Sequence, residues 1–137
     1  MVTGALTLLL AGFIATDTTS GPQFLISEPV VSCSILGILF HEPETGLRMG
    51  ILFQLLWLGY LPLGAARLSD SNMAAFIATA SFLYMQRIFA IDRALVDAAI
   101  IPALLFGIVV GAIGLHFTQL TRRMNGERND IFRLRLK

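Results

Sequence analysis

The chain has 137 residues, of which 55% are hydrophobic and only 14% are charged, and its formal net charge is +1. A soluble domain of this size carries about a quarter charged residues, so the composition argues against a soluble enzyme or a nucleic-acid-binding domain. It predicts an all-α integral membrane protein, folded as a helical bundle. Cys33 is the single cysteine, so no intrachain disulfide is possible.

Five apolar stretches follow one another along the chain, and a helix that crosses a bilayer needs roughly 20 such residues. They are Met1–Thr16, Val30–Phe40, Met49–Ala66, Met73–Ile91 and Ala94–Leu115. The last has 22 residues and a single charge, Asp97, so it is the clearest membrane span. We expect two further spans at 49–66 and 73–91. The first stretch lacks the basic start of a secretory signal, so we expect a membrane segment that is retained.

The second stretch, Val30–Phe40, has only 11 residues and is bounded on both sides by a Glu-Pro pair. Proline is favoured at the first position of a helix, which makes Ser27 the predicted N-cap and places Glu28 where the helix dipole favours an anion. Interrupted helices at membrane depth persist only inside protein or beside a water-filled cavity. We therefore predict a short re-entrant or broken helix near residues 27–45 that lines a polar cavity. We expect the sequence HEPETG, residues 41–46, to close it with a tight turn.

The last segment, 116–137, holds six of the ten Lys and Arg residues and has a formal charge of +4, against −3 for residues 1–115. The positive-inside rule places such a segment in the cytoplasm. We therefore predict a membrane domain over 1–115 and a basic cytoplasmic juxtamembrane tail over 116–137. The sequence has no phosphate-binding loop, CxxC, HExxH or GxSxG motif, so we expect no catalytic residue, metal or cofactor.

An ordered series of short motifs resembles the N-terminal half of the IIC membrane subunit of the mannose/fructose/sorbose family of the bacterial phosphotransferase system. The matching positions, between Asp17 and Ala80, are Glu28-Pro29, His41-Glu42, Thr45-Gly46, Gln54, Leu58-Gly59, Gly64-Ala65-Ala66 and Ser69-Asp70. Three positions depart from the family pattern. Glu28 replaces an arginine, His41-Glu42 replaces a Gly-Asp pair, and Gln54 replaces a glutamate. Family subunits are also roughly twice as long as this chain.

The resemblance implies a multi-pass permease subunit of the bacterial inner (plasma) membrane that moves a hexose-type sugar by alternating access. It also implies partners, a IID-like membrane subunit and soluble A and B subunits that phosphorylate the sugar, within an oligomeric complex. The departures and the short chain favour an alternative, a transport-inactive regulatory or scaffold subunit that senses sugar or docks the phosphotransferase proteins. A small membrane protein unrelated to sugars is a third hypothesis.

The predicted sugar site combines Glu28, Gln54, Asp70 and Trp57. Carboxylates and amides hydrogen-bond to sugar hydroxyls, and an aromatic ring stacks on the face of a sugar. Trp57 follows Gln54 by three residues, so the two share a helix face. Structural alternatives remain for each residue type: Glu28 as an interfacial cap, Gln54 as an interhelical hydrogen bond, and Trp57 with Tyr60 as an interfacial aromatic belt.

Overall fold

The computed structural model of the protein describes residues 2–17, 25–58, 71–89 and 93–135. These residues form α1 (Val2–Asp17), α2 (Pro29–Leu39), α3 (Pro43–Trp57), α4 (Ser71–Phe89) and α5 (Arg93–Arg135). No strand occurs within these four ranges, which confirms the prediction of an all-α fold.

The short helix α2 begins at Pro29, which occupies the predicted first helical position. Its N-cap is Glu28, one residue later than the Ser27 that we predicted, so that prediction was wrong. The reason is a backbone turn before the helix: the Glu28 N–H donates to the carbonyl of Leu25 at 3.2 Å. The Glu28 carbonyl then accepts the first helical hydrogen bond, from the Ser32 N–H at 2.9 Å. The Glu28 side chain makes no capping bond and is available for other contacts.

The tight turn predicted after this helix is confirmed, and it is a Schellman motif. The Glu42 N–H donates to the Gly37 carbonyl at 2.8 Å, and the His41 N–H donates to the Ile38 carbonyl at 3.1 Å. His41 takes the left-handed backbone conformation that this motif requires, with φ of 62°. Pro43 opens α3 directly afterwards, so α2 and α3 form an antiparallel helical hairpin.

Glycines bring the two helices of the hairpin into backbone contact. A Cβ atom on Gly46 would lie 2.6 Å from both the Cys33 carbonyl oxygen and the Gly37 Cα. One turn further along α3, a Cβ on Gly50 would lie 2.9 Å from the Pro29 carbonyl oxygen. Real Cβ contacts are longer than this, so the interface accepts only glycine at these positions without a shift of backbone.

The hairpin packs against α4, and α5 packs along α4 and α3. Cys33 is fully buried between α2 and α4, where its sulfur accepts a hydrogen bond from Thr79 Oγ1 at 3.2 Å. The same sulfur donates to the Ala75 carbonyl at 3.7 Å. On the α5 side, Gly107 lies against the ring of Phe53, which a Cβ would approach to 2.5 Å. Small residues at these contacts therefore allow the helices to approach one another closely.

Among the described helices, α5 alone is long and apolar enough to cross a membrane, over Leu95–Asn125. Only 22% of its most apolar stretch is buried inside the protein. The described residues of α3 and α4 are not long and apolar enough to cross a membrane. Residues 59–66 of the expected span Met49–Ala66 lie outside the described residues.

The helix α5 runs without interruption past residue 115, where we placed the boundary between membrane domain and tail. Its 43 residues extend roughly 65 Å at 1.5 Å per residue. That length is about twice the hydrocarbon thickness of a bilayer. The first part of the basic tail is therefore a direct helical continuation of the apolar segment.

Candidate functional site

The glycine contacts of the hairpin set the register that brings Gln54 to Glu28. Gly46, Gly50 and Gln54 follow one another at four-residue intervals, so they lie on one face of α3. Gly46 lies against the middle of α2 and Gly50 lies against its first turn. The next position on that face, Gln54, therefore reaches the N-cap of α2.

The contact is a single hydrogen bond, in which Gln54 Nε2 donates to Glu28 Oε2 at 2.9 Å. Both side chains are partly buried. The other amide atom, Gln54 Oε1, has no exposed surface above 1 Å² and no hydrogen-bond partner among the described residues. The arrangement thus combines a carboxylate at a helix N-terminus with a buried acceptor that has no donor within the described part of the chain.

Two of the departures from the family pattern meet at this contact. The resemblance has an arginine at the position of Glu28 and a glutamate at the position of Gln54. The structure makes those two positions neighbours, and a carboxylate and an amide form a hydrogen bond there.

Trp57 lies one turn after Gln54, as predicted, but its ring packs inward. It is partly buried against the core cluster that includes Cys33, Met49 and Phe53. The structure therefore packs Trp57 against the core, and its contact with a sugar stays a prediction. Tyr60 and Asp70 lie outside the described residues, so the position of Asp70 near Glu28 stays a prediction.

A second polar group, which the sequence analysis did not identify, lies at the opposite end of the hairpin. Arg48 donates from Nη2 to Glu44 Oε1 at 2.6 Å and from Nη1 to Asp97 Oδ1 at 3.0 Å. The spacing of Glu44 and Arg48, four residues apart on one helix, is the sequence signal that was missed. The partnership with Asp97 depends on how α5 packs, and no local pattern encodes it.

Metal binding has no support in the described part of the chain, where no three His, Cys, Asp or Glu side chains form a group able to hold an ion. His41 serves the backbone turn after α2, and His116 lies on α5, far along the chain from it.

The comparisons with known proteins agree with the resemblance. A family model described as "PTS system sorbose-specific iic component" matches residues 1–129. A sorbose-specific EIIC component of Lacticaseibacillus casei is 37% identical over 57 residues, which are 42% of this chain and 21% of that protein. A sorbose-specific EIIC component of Klebsiella pneumoniae is 31% identical over 55 residues, 40% of this chain and 21% of that protein.

A mannose-specific EIIC component of Escherichia coli K12 is 30% identical over 57 residues, again 42% of this chain and 21% of the relative. The matched segment therefore spans about a fifth of the length of each of these relatives. No solved structure matches the chain.

Proposed function

Because the chain belongs to the family of sorbose-specific IIC components of the phosphotransferase system, we propose that it is a membrane permease subunit that moves a hexose-type sugar. Partner subunits phosphorylate the sugar, and this chain contributes binding and passage alone. The proposed site rests on the hydrogen bond between Glu28 and Gln54. It rests also on Gln54 Oε1, which has no hydrogen-bond partner in the ranges that the structure describes.

The proposed sugar site has Glu28 and Gln54 as its hydrogen-bonding centre. The Gln54 Oε1 atom accepts a hydrogen bond from a sugar hydroxyl, and the second oxygen of Glu28 accepts another. Trp57, one turn further along α3, supplies an apolar face to the ring of the sugar. Asp70 completes the site from the segment before α4. These roles follow from the chemistry of the groups, since sugar hydroxyls are donors that need acceptors in a site shielded from water.

In the proposed membrane arrangement, α5 crosses the bilayer and the α2–α3 hairpin enters the membrane without crossing it. Support comes from the length of α2, 11 residues, which is about half of a span. The basic tail faces the cytoplasm, because six of the ten cationic residues lie in it. A reporter enzyme that is active only outside the cytoplasm, fused after Lys137, is therefore expected to stay inactive. An active reporter would reverse the orientation.

The proposed partners are a IID-like membrane subunit and the soluble A and B subunits. The direct test is isolation of the tagged chain from membranes of its own source in a mild detergent, followed by identification of the bound proteins. A IID-like subunit in stoichiometric amount supports the permease. Isolation of the chain without any phosphotransferase protein contradicts it.

A second candidate function is a regulatory or scaffold subunit that binds sugar or docks the soluble subunits without transport. The carboxylate of Glu28, at a position where the resembled family has an arginine, favours this candidate, because it replaces a positive charge by a negative one. The two functions differ in what deletion of the chain does to sugar uptake. A scaffold co-purifies with the soluble subunits but its deletion leaves sugar uptake unchanged.

A further inference from the structure

The charged residues of α5 set its depth in a bilayer that it crosses. Asp97 lies in the first turn of the apolar span Leu95–Asn125, and Arg122 and Arg123 lie in its last turn. Residues 98–121 contain no Asp, Glu, Lys or Arg and extend roughly 36 Å at 1.5 Å per residue. The hydrocarbon core is about 30 Å thick, and the bilayer with its headgroups measures about 40–45 Å. The crossing helix therefore places both arginines in a headgroup layer.

A basic depression of about 430 Å³ lies on this end of α5. Its lining includes His116, Leu120, Arg122 and Arg123, and both arginine residues are exposed. Within the described part of the chain, no carboxylate contributes to this lining. The guanidinium group of arginine matches the geometry of phosphate oxygens and forms charge-assisted hydrogen bonds with them. The charge of the depression therefore fits an anionic group that carries a phosphate.

An apolar stripe runs along α5 beside the two arginines. Phe117, Leu120 and Met124 are 64%, 44% and 64% exposed. Their spacing of three and four residues puts them on one face of the helix, and Leu120 also lines the basic depression. Basic groups next to an exposed apolar stripe are typical of helices that bind at the boundary between headgroups and acyl chains. The stripe favours a lipid over a soluble anion, because free phosphate offers no apolar surface to these side chains.

We propose that this end of α5 binds an anionic phospholipid. Arg122 and Arg123 donate hydrogen bonds to the oxygens of its headgroup, and the apolar stripe packs against the upper part of its acyl chains. A zwitterionic lipid has the same phosphate but adds a positive charge, which the two guanidinium groups repel. The proposal rests on the membrane crossing of α5, and it does not depend on sugar transport.

The test measures which lipid lies beside this end of α5 in the full-length chain. Thr121, an exposed residue next to the two arginines, is changed to cysteine in a Cys33→Ala background and labelled with a fluorophore. The protein is placed in phosphatidylcholine vesicles that contain a small share of either brominated phosphatidylglycerol or brominated phosphatidylcholine, whose bromine atoms quench the fluorophore at short range. We expect the association constant of phosphatidylglycerol to be about tenfold higher, because each arginine near the membrane surface favours an anionic lipid.

Three variants locate the lipid. Arg122→Gln together with Arg123→Gln removes both charges and keeps good helix formers, and it is expected to reduce the preference for phosphatidylglycerol to less than about twofold. Arg122→Gln alone is expected to reduce it to about threefold. Arg87→Gln is the matched control, because Arg87 is an exposed arginine in the last turn of α4. Its neighbour Gln86 lines a cleft with Asp97, at the opposite end of α5, so the preference is expected to stay at about tenfold.

Equal quenching by the two brominated lipids would overturn the proposal, and so would a full preference in the variant that lacks both arginines. An equal loss of preference in Arg87→Gln would overturn it as well, because the total charge of the protein would then be the cause. Loss of quenching when inorganic phosphate is added in excess, at constant ionic strength, would show that the depression binds a soluble anion instead. If the double variant does not fold, an unchanged preference in Arg122→Gln still contradicts the proposal.

Discussion

Gln54 lies in an uncharged stretch of helix, where a buried amide group without a partner costs about 1–3 kcal/mol. That cost predicts a partner, either a sugar hydroxyl or a polar group of the short broken segment, and Glu28 Oε2 accepts a hydrogen bond from Gln54 Nε2 at 2.9 Å. The hydrogen bond satisfies the Nε2 side of the amide. The Oε1 side still lacks a donor among the described residues, and in the proposed site a sugar hydroxyl supplies that donor.

The first prediction concerns Gln54→Leu, which removes both amide atoms while keeping most of the volume. We expect sugar binding by the assembled complex to be lost, because both the acceptor Oε1 and the bond that orients Glu28 disappear. Assembly and thermal stability are expected to persist within about 1 kcal/mol. Equilibrium binding of labelled mannose and sorbose, alongside Gln119→Leu as control, measures this. Binding and assembly that weaken together would make Gln54 a structural residue.

The second prediction uses the left-handed conformation of His41, with φ of 62°. Such a conformation costs a residue with a Cβ about 1–2 kcal/mol and costs glycine nothing. His41→Gly is therefore expected to raise the free energy of unfolding by up to about 1 kcal/mol. The same change in the interior of α5, His116→Gly, is expected to lower it by about 1 kcal/mol. Thermal unfolding in detergent measures the change in the free energy of unfolding for both variants. Two changes of the same sign would contradict the role of His41 in the turn.

Residue chemistry was predictable from sequence where it depended on neighbours along the chain. The proline at the start of α2, the tight turn after it and the need of Gln54 for a partner all have local causes. The hydrogen bond between Thr79 and Cys33 and the buried oxygen of Gln86 were not predictable. Both depend on which face of α4 meets the hairpin, and the side-chain pattern of one helix does not encode that choice.

At the level of elements, the α2–α3 hairpin depends on the absence of side chains at Gly37, Gly46 and Gly50. The backbones approach so closely that each added Cβ would lie within 3 Å of a backbone atom of the other helix. This close approach fixes the register of the hairpin, and the register in turn places Gln54 beside Glu28. The glycines of the interface therefore position the site without contacting a ligand.

The third prediction tests that dependence with Gly46→Ala. The new methyl group collides with the backbone of Cys33 and Gly37, so we expect a loss of about 1–3 kcal/mol in stability together with loss of sugar binding. Gly12→Ala is the matched control, because a Cβ there meets no atom within 4 Å. Helix propensity alone then predicts a gain of up to about 1 kcal/mol. A stable Gly46→Ala protein with normal binding would contradict the register argument.

The fourth prediction concerns the path of the hairpin in the membrane. Cysteines introduced at Leu25, which is 64% exposed before α2, and at Glu44, in a Cys33→Ala background, are expected to react with an impermeant reagent from the same side of the membrane. The reason is that α2, with 11 residues, is too short to carry its ends to opposite faces of a bilayer of about 30 Å. Labelling of the two positions from opposite sides would show that the segment crosses.

The sequence indicated α2 and its closing turn correctly because prolines and a short apolar run determine both. It did not indicate that α5 continues far beyond residue 115. The polar residues after that point lack an apolar stripe, so they resembled a separate tail. Yet Gln, Met, Glu and Arg are good helix formers, and a helix that is already nucleated extends through them at little cost.

For the whole molecule, the long apolar helix, the family match over residues 1–129 and the basic C-terminal segment agree with one another. Composition alone predicted the membrane class, because too few charged residues exist to cover the apolar surface. The pairing of α2 with α3 was not predictable in the same way. Span length is readable along the chain, but a helical hairpin that turns back depends on glycine contacts between segments.

The central claim is that the chain takes part in the uptake of a hexose-type sugar. The most direct measurement is the accumulation of labelled mannose, sorbose and fructose, and of their phosphates, in a strain of the source organism from which the chain has been deleted. The account predicts that uptake of at least one of these sugars is lost, is restored by the wild-type chain and is not restored by Gln54→Leu. Uptake and phosphorylation of all three sugars at the wild-type rate in the deletion strain would contradict it.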